Sequence, residues 1–440
     1  MSNQEVPTPS GLPVLGHTVA FARDPFGFLD RATGEAGDAF RMDVVGTDVY
    51  VLTHPEHFRQ VLVTDVDRFG KTEDFSRAFG SGLLSTEGDR WRRQRDQLQP
   101  FFYADRIRGY GDTMVEQIER RAERWSPGET LDVASEMKTL TLEVLFATLF
   151  GRELDPTADA DLYAAANGLN AWFAPSSWAL PTWVPTPARR RFRNSSQRLR
   201  EEVDRLVRAR ERADGAGDDL VSKLLAVRDA ADGRGPTDET IKDQLVTFTF
   251  AGHETTALAL TYTWYLLSEH PDVRDQLYAE LDAVVDGREP TAADVERLDY
   301  ADSVLREAMR LYPPVHTIPR RTEDAVDVDG YRIPANSEVH LSVRQVHRNG
   351  EFYDDPGAFR PERWTEASDR ERHEFAYAPF GGGRRTCIGR AFALFEAKLV
   401  LATIGQRYRL DAPADFALQL DPQMTTQPDG AVPMAVTERD

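Results

Sequence analysis

Between Thr237 and Pro271 nothing in the sequence stops a helix. Thr237 can cap its start, and Asp238 and Glu239 fall in the first turn, where negative charge meets the positive end of the helix dipole. About 32 residues at ~1.5 Å each predict a rod of roughly 48 Å, far longer than an average globular helix. From Leu245 to Leu267 the rod is apolar on most faces, so it belongs in a core or a bilayer. His253 and Glu254 stand at its middle, where a lone carboxylate in lipid would be costly. The helix, about residues 238–270, is therefore read as buried in a soluble fold, with no transmembrane anchor.

The run Ala251-Gly252-His253-Glu254-Thr255-Thr256 then needs a reason. An acid beside an alcohol in apolar surroundings suits the passage of protons to a buried reaction centre. Ala251 and Gly252 leave room beside the helix for a flat ligand, and threonine hydroxyls that bond back to carbonyls can bend it. A locally satisfied polar patch is the plainer alternative.

Composition narrows the class. Asp and Glu number 73 against 53 Lys and Arg, a formal charge of −20, which argues against a nucleic-acid partner. Lysine occurs only at Lys71, Lys138, Lys223, Lys242 and Lys398, so 53 − 5 leaves 48 arginines. A salt-adapted organism or a GC-rich genome would each give that bias, and the first is preferred. Cys387 is the single cysteine, which excludes an internal disulfide, a Cys-rich zinc site and a protein-held iron–sulfur cluster. Met1 to Ala22 lacks a basic start followed by an apolar run, so no secretory signal is evident and a cytoplasmic location is expected.

At roughly 150 residues per domain the length would allow about three domains, yet no repeat or long linker divides the chain. Short loop-like stretches fall at Pro185–Pro187, Ala213–Asp218 and Ala231–Thr237. A strand is expected at Asp48–Leu52, helices to about residue 230, and after Pro313-Pro314 a hairpin of Val326–Val328 and Tyr331–Ile333 around Asp329-Gly330. The expectation is one large domain over 1–440, mainly α with a smaller β-sheet region.

Cys387 sits in Phe380-Gly381-Gly382-Gly383-Arg384-Arg385-Thr386-Cys387-Ile388-Gly389-Arg390. Three consecutive glycines permit backbone conformations and close approaches that side chains forbid. A helical apolar pattern from Ile388 onward places the cysteine at a helix N-terminus, which favours a thiolate. A small buried cysteine beside a turn is the bland reading; a nucleophile or an axial metal ligand is the sharper one. A phosphate loop is disfavoured, since the order Gly-x-x-x-x-Gly-Lys-Ser/Thr is absent. Glu307 and Arg310 share one helix face, and as an isolated surface pair they would mean little.

Together these segments resemble the cytochrome P-450 family of haem-thiolate monooxygenases, in the family's order and approximate spacing, as a soluble prokaryotic-type member. Phe380, Gly383, Arg385, Cys387 and Gly389 match its Phe-x-x-Gly-x-Arg-x-Cys-x-Gly. Ala251 to Thr256 match its Ala/Gly-Gly-x-Asp/Glu-Thr-Thr/Ser, and Glu307 and Arg310 its Glu-x-x-Arg. Phe359 to Trp364 resemble the segment whose arginine, here Arg363, completes that ion network. Trp91 and Arg95 match a Trp-x-x-x-Arg.

The resemblance implies the P-450 fold, with the 238–270 helix lying distal to haem b (iron protoporphyrin IX) and the loop 380–389 carrying its ligand. It implies that Cys387 binds the iron, and that Trp91, Arg95, Arg385 and Arg320 meet the propionates, with neighbouring Arg321 competing for the last role. Ala251, Phe380 and Gly389 are implied haem contacts. Thr255 and Glu254 would handle protons for dioxygen activation, while Glu307, Arg310 and Arg363 would be structural. The implied reaction is hydroxylation of a lipophilic small molecule with dioxygen and two externally supplied electrons. A peroxide-dependent or rearranging enzyme and a haem-thiolate sensor are the alternatives, and the acid–alcohol pair disfavours both.

No flavin or nicotinamide motif is found, so electrons are expected from a separate protein, a ferredoxin docking on Arg92, Arg93, Arg384 and Arg390. The pocket is expected to borrow from Phe79–Leu84, Trp172–Trp183, Phe248, Ala251, Val315–Ile318 and Met424–Thr425. These are mainly apolar and suit a fatty acid, terpenoid, steroid or carotenoid. Trp172, Phe173, Trp178 and Trp183 beside the Arg189–Arg193 cluster are read as a channel wall leading into a solvated helix start, with contact to a lipid surface as the alternative.

Overall fold

A single helix runs Asp238–Glu269, and the Thr237 hydroxyl accepts a hydrogen bond from the Thr240 amide at 3.2 Å. It stops where expected, because Pro271 forces His270 out of helical geometry and begins the next helix, Pro271–Val284. The computed structural model describes residues 4–13, 15–174, 183–212, 217–229 and 235–439. The expected loops at 213–218 and 231–237 lie partly outside those residues, as does Trp178. Among the described residues, no helix is long and apolar enough to cross a membrane.

The central helix is buried on nearly every side from Thr240 to Leu267 because other helices surround it. Helix Val133–Leu149 packs along it so closely that a Cβ on Gly252 would stand 2.8 Å from Leu145. Gly252 therefore serves helix–helix contact as well as the space beside the helix. Thr141 donates to the His253 carbonyl at 2.9 Å across this contact. Helices Asp299–Leu311 and Arg390–Arg407 pack against other parts of the rod.

The largest sheet among the described residues has five strands, ordered Ala39–Val44, Thr47–Leu52, Glu338–Ser342, Thr317–Thr322, Phe69–Gly70. All its pairings are antiparallel except Thr47–Leu52 with Glu338–Ser342. The expected hairpin is present, Val326–Val328 with Tyr331–Ile333, and Asp329 takes φ 50° in its turn. In strand Thr317–Thr322, successive side chains point to opposite faces. That alternation sends Arg320 inward and Arg321 outward.

The helix after the cysteine begins at Arg390, not Ile388, with Gly389 as its N-cap. The reason is local: the Cys387 amide donates to the Phe380 carbonyl at 3.0 Å, which closes the loop and delays the helix by two residues.

Candidate active site

A cavity of ≈310 Å³ lies between the central helix and the Phe380–Gly389 loop. The loop can take this shape because Gly383 adopts φ +61° and a Cβ there would stand 2.3 Å from the Leu62 carbonyl oxygen. Cys387 has exposed surface, yet burial is the main influence on its thiol and pushes the pKa up. The two facts agree, since that surface opens into the cavity that Cys387 lines. Backbone N–H groups of Gly389 and Arg390, with the Arg95 guanidinium, pull the other way.

One end of the cavity is cationic. Lys71, Arg95, Arg320 and Arg385 all line it, as does the mostly buried Trp91. Arg95 donates to the Thr386 carbonyl at 2.8 Å, and Arg385 to the Phe69 carbonyl at 2.5 Å and to Glu87 at 2.7 Å. Among the described residues, Lys71 Nζ reaches only carbonyls, of Leu83 at 2.7 Å and Thr86 at 2.9 Å. Arg320, among the same described residues, reaches only its neighbour's carbonyl, Pro319 at 2.8 Å. Burial, then Arg385, lowers the Arg320 pKa to about 10; burial, against Glu87, lowers that of Lys71 to about 7. Nε of both Arg320 and Arg385 is buried without a partner. Arg321 instead pairs with Glu73 at 3.1 Å and Asn336 at 2.7 Å, away from the cavity.

Four crowded cations facing little beyond Glu87 call for further anionic charge. A ligand with two carboxylates at one edge and an apolar body, reaching a metal beside the Cys387 sulfur, fits this donor set. Haem meets that description. Lys71 and Glu87 were not anticipated from sequence, although Lys71 is one of only five lysines.

The distal acid and alcohol do not point together. Thr255 lines the cavity and donates to its own helix at the Ala251 carbonyl, 2.9 Å away. Glu254 does not line it; its Oε1 accepts from Gln427 at 2.9 Å. Burial raises the Glu254 pKa to about 7 against the lowering effects of Lys138, Thr425 and Gln427. Ala251, Phe380 and Gly389 all line the cavity.

Glu307 and Arg310 are wholly buried, not a surface pair. Glu307 accepts two bonds from Arg310 at 2.8 Å, one from Arg363 at 2.8 Å and one from Trp364 at 3.0 Å. Arg310 also donates to the carbonyls of His347, Pro356 and Ala358.

The expected pocket residues divide. Leu83, Leu84, Phe248, Val315, Ile318 and Met424 line the cavity, whereas Phe79 sits in the core against Phe250 at 4.8 Å. Trp172 packs on Phe192 at 5.1 Å and Phe173 on Phe75 at 5.9 Å, while Trp183 is 82% exposed. Phe75, Leu145 and Phe250 complete the walls and were not expected. The anticipated basic surface is partly neutralised, because Arg92 pairs with Asp89 at 2.6 Å and Arg384 with Asp67.

A cavity-lining thiol on a glycine-built turn, opposite a polar-centred helix and beside an anion-seeking end, defines the site of a haem-thiolate protein. The chain belongs to the cytochrome P450 family, whose sequence profile matches residues 6–432. It is 34% identical to cyclooctat-9-en-7-ol 5-monooxygenase of Streptomyces melanosporofaciens over 91% of this chain and 88% of that one. It is 36% identical to pentalenene oxygenase of Streptomyces avermitilis, covering 92% and 91%. The fold matches the crystal structure of the cytochrome P450DA haem domain with a TM-score of 0.88 at 30% identity, over 99% of this chain and 98% of that one. The protein is a haem-b monooxygenase acting on a lipophilic small molecule, and it draws electrons from a redox partner.

Proposed function

We propose that the chain, a single domain over 1–440, hydroxylates a terpenoid hydrocarbon or a terpenoid with few oxygens. The observation that carries this reading is the placement of charge. Every charged side chain that lines the cavity belongs to its cationic end, and walls such as Phe75, Leu84, Leu145, Phe248, Phe250 and Met424 are apolar. Among the described residues, no charged wall group is left to anchor a fatty-acid carboxylate once haem occupies that end. Two relatives whose names specify cyclooctat-9-en-7-ol and pentalenene support the same class.

In this reading Cys387 would hold the haem iron through its sulfur, and Arg95, Arg320, Arg385, Trp91 and Lys71 would hold the propionates. Haem, when bound, supplies the iron chemistry that turns dioxygen and two electrons into an oxidant for a C–H bond, favoured by thiolate donation. Gly389 and Arg390 N–H groups restrain the charge on the sulfur. Ala251, Phe380 and Gly389 would pack on the macrocycle, and the apolar walls would exclude water from the substrate. Thr255 would present its hydroxyl to the cavity, and Glu254 would hold a proton in reserve behind it. Glu307, Arg310 and Arg363 act structurally.

The redox partner is proposed to be a ferredoxin, contacting Arg93 and Arg390, since Arg92 and Arg384 are already paired within the chain. The single cysteine accords with a cytoplasmic setting.

The test is the absorption spectrum of reduced protein under carbon monoxide, wild type beside Cys387→Ser. A strongly red-shifted Soret band in wild type alone is expected; identical spectra would remove the ligand assignment. Titration of the ferric protein with pentalenene and with a long-chain fatty acid then separates substrate classes. A spin-state shift with the acid and none with the hydrocarbon would overturn the terpenoid reading.

A further inference from the structure

The acid of the distal helix has no direct way into the cavity. Glu254 is 4% exposed and does not line it, while Thr255 donates backward to Ala251. A third group stands between them. Gln427 Nε2 donates both to Glu254 Oε1, at 2.9 Å, and to Thr425 Oγ1, at 2.6 Å. One side-chain amide thus holds the carboxyl and the Thr425 hydroxyl side by side, and Thr425, unlike Glu254, lines the cavity. Glu254 Oε2 is buried with no hydrogen-bond partner among the described residues. An orphaned carboxyl oxygen next to a hydroxyl can gain a bond by a small rotation once it carries a proton.

The surroundings keep this arrangement in place. Lys138 Nζ donates to Gln427 Oε1 at 2.8 Å, so the amide cannot turn over without losing that bond. The Thr426 amide and hydroxyl bond to the carbonyls of Pro314 and Pro313, both at 2.8 Å, which pins the backbone beside Thr425. An amide is a poor proton carrier, whereas a hydroxyl donates and accepts at the same atom. Gln427 and Lys138 are therefore positioning residues and Thr425 is the conducting one.

We propose that the Thr425 hydroxyl bridges Glu254 to the cavity, taking a proton from its carboxyl on Oγ1 while releasing its own toward the oxygen being reduced. No electrons move in this step. One O–H bond forms and one breaks at Thr425, and the carboxylate left on Glu254 is held by the Gln427 amide and the nearby Lys138 charge. The poise of Glu254 near neutrality suits a donor of this kind. This inference rests on the proton-handling role given to Glu254 above.

The experiment uses the holoenzyme of wild type, Thr425→Val, Thr425→Ser and Glu254→Gln. Infrared difference spectra across neutral pH locate the protonated Glu254 carbonyl band by its loss in Glu254→Gln. With electrons from a surrogate ferredoxin and its reductase, the share of consumed dioxygen released as hydrogen peroxide is measured in parallel. Thr425→Val should shift the carbonyl band and slow peroxide-free oxygen reduction by about tenfold or more, and Thr425→Ser should restore both. An unshifted band, or a shifted band with an unchanged peroxide share, overturns the bridge. If Glu254→Gln alters the share and Thr425→Val does not, the bridge alone fails. No effect of Glu254→Gln removes the underlying relay together with it.

Discussion

Two buried clusters of arginine differ in one respect, and the difference separates architecture from function. Around Glu307, both carboxylate oxygens and most guanidinium donors of Arg310 and Arg363 meet partners within the chain. At the cavity, Lys71, Arg95, Arg320 and Arg385 find backbone carbonyls, Gln99 and Glu87, and nitrogens of two arginines stay unpaired among the described residues. The first cluster carries its own carboxylate, answered on both oxygens, and one nitrogen, Arg363 Nη2, is left over. The second is complete only with an anionic ligand, and that incompleteness marks a binding site.

The comparison breaks most visibly at Glu307. Glu307→Gln should destabilise the protein by about 3–5 kcal/mol, since it strips a fully buried network of its only carboxylate. That is a large part of a typical domain's stability. Thermal unfolding of haem-free and haem-loaded protein should both register it. Equal unfolding temperatures for variant and wild type would contradict the structural role.

Arg320→Met should behave in the opposite way. Removing an under-paired buried charge should leave the haem-free protein as stable as wild type, or more stable by roughly 1–4 kcal/mol. Haem should be lost faster, measured by transfer to an excess of apomyoglobin. A haem-free variant that unfolds like Glu307→Gln would place Arg320 in the architecture instead.

The smallest effect sharpens the same contrast. Burial lowers the Lys71 pKa to about 7 in the haem-free protein, so above neutral pH much of it is uncharged. Propionates nearby would favour its charged form and raise that pKa. Haem binding between about pH 7 and 8.5 should therefore take up a fraction of a proton, and below pH 6 it should take up almost none at this group. Calorimetry in buffers of different ionisation enthalpy reads this uptake, and Lys71→Met should abolish it. Proton release, or uptake unchanged in the variant, would mean that Lys71 does not face the anion.

These contrasts follow what a linear reading can reach. The rod from Asp238 to Glu269 was legible because capping, periodicity and the stop at Pro271 are local. The cysteine loop was legible for the same reason, since its glycines and cysteine act over a few residues. Arg320 against Arg321 was left open, although strand alternation alone allows only one of two neighbours to face inward. Phe79 and Trp172 were placed in the pocket because aromatic character does not say which neighbour a ring packs against. The basic surface was overestimated because Asp67 lies far from Arg384 in sequence but beside it in space.

By itself the sequence determined the helix, the thiol-bearing loop and the chemistry those residue types permit, because spacing along a chain dictates local geometry. Only the tertiary structure decided where Glu254 points, that Gln427 and Thr425 stand beside it, and that Lys71 and Glu87 join the cationic end. Those contacts join residues up to 173 positions apart. Packing and desolvation, which exist only once the chain has closed on itself, select them.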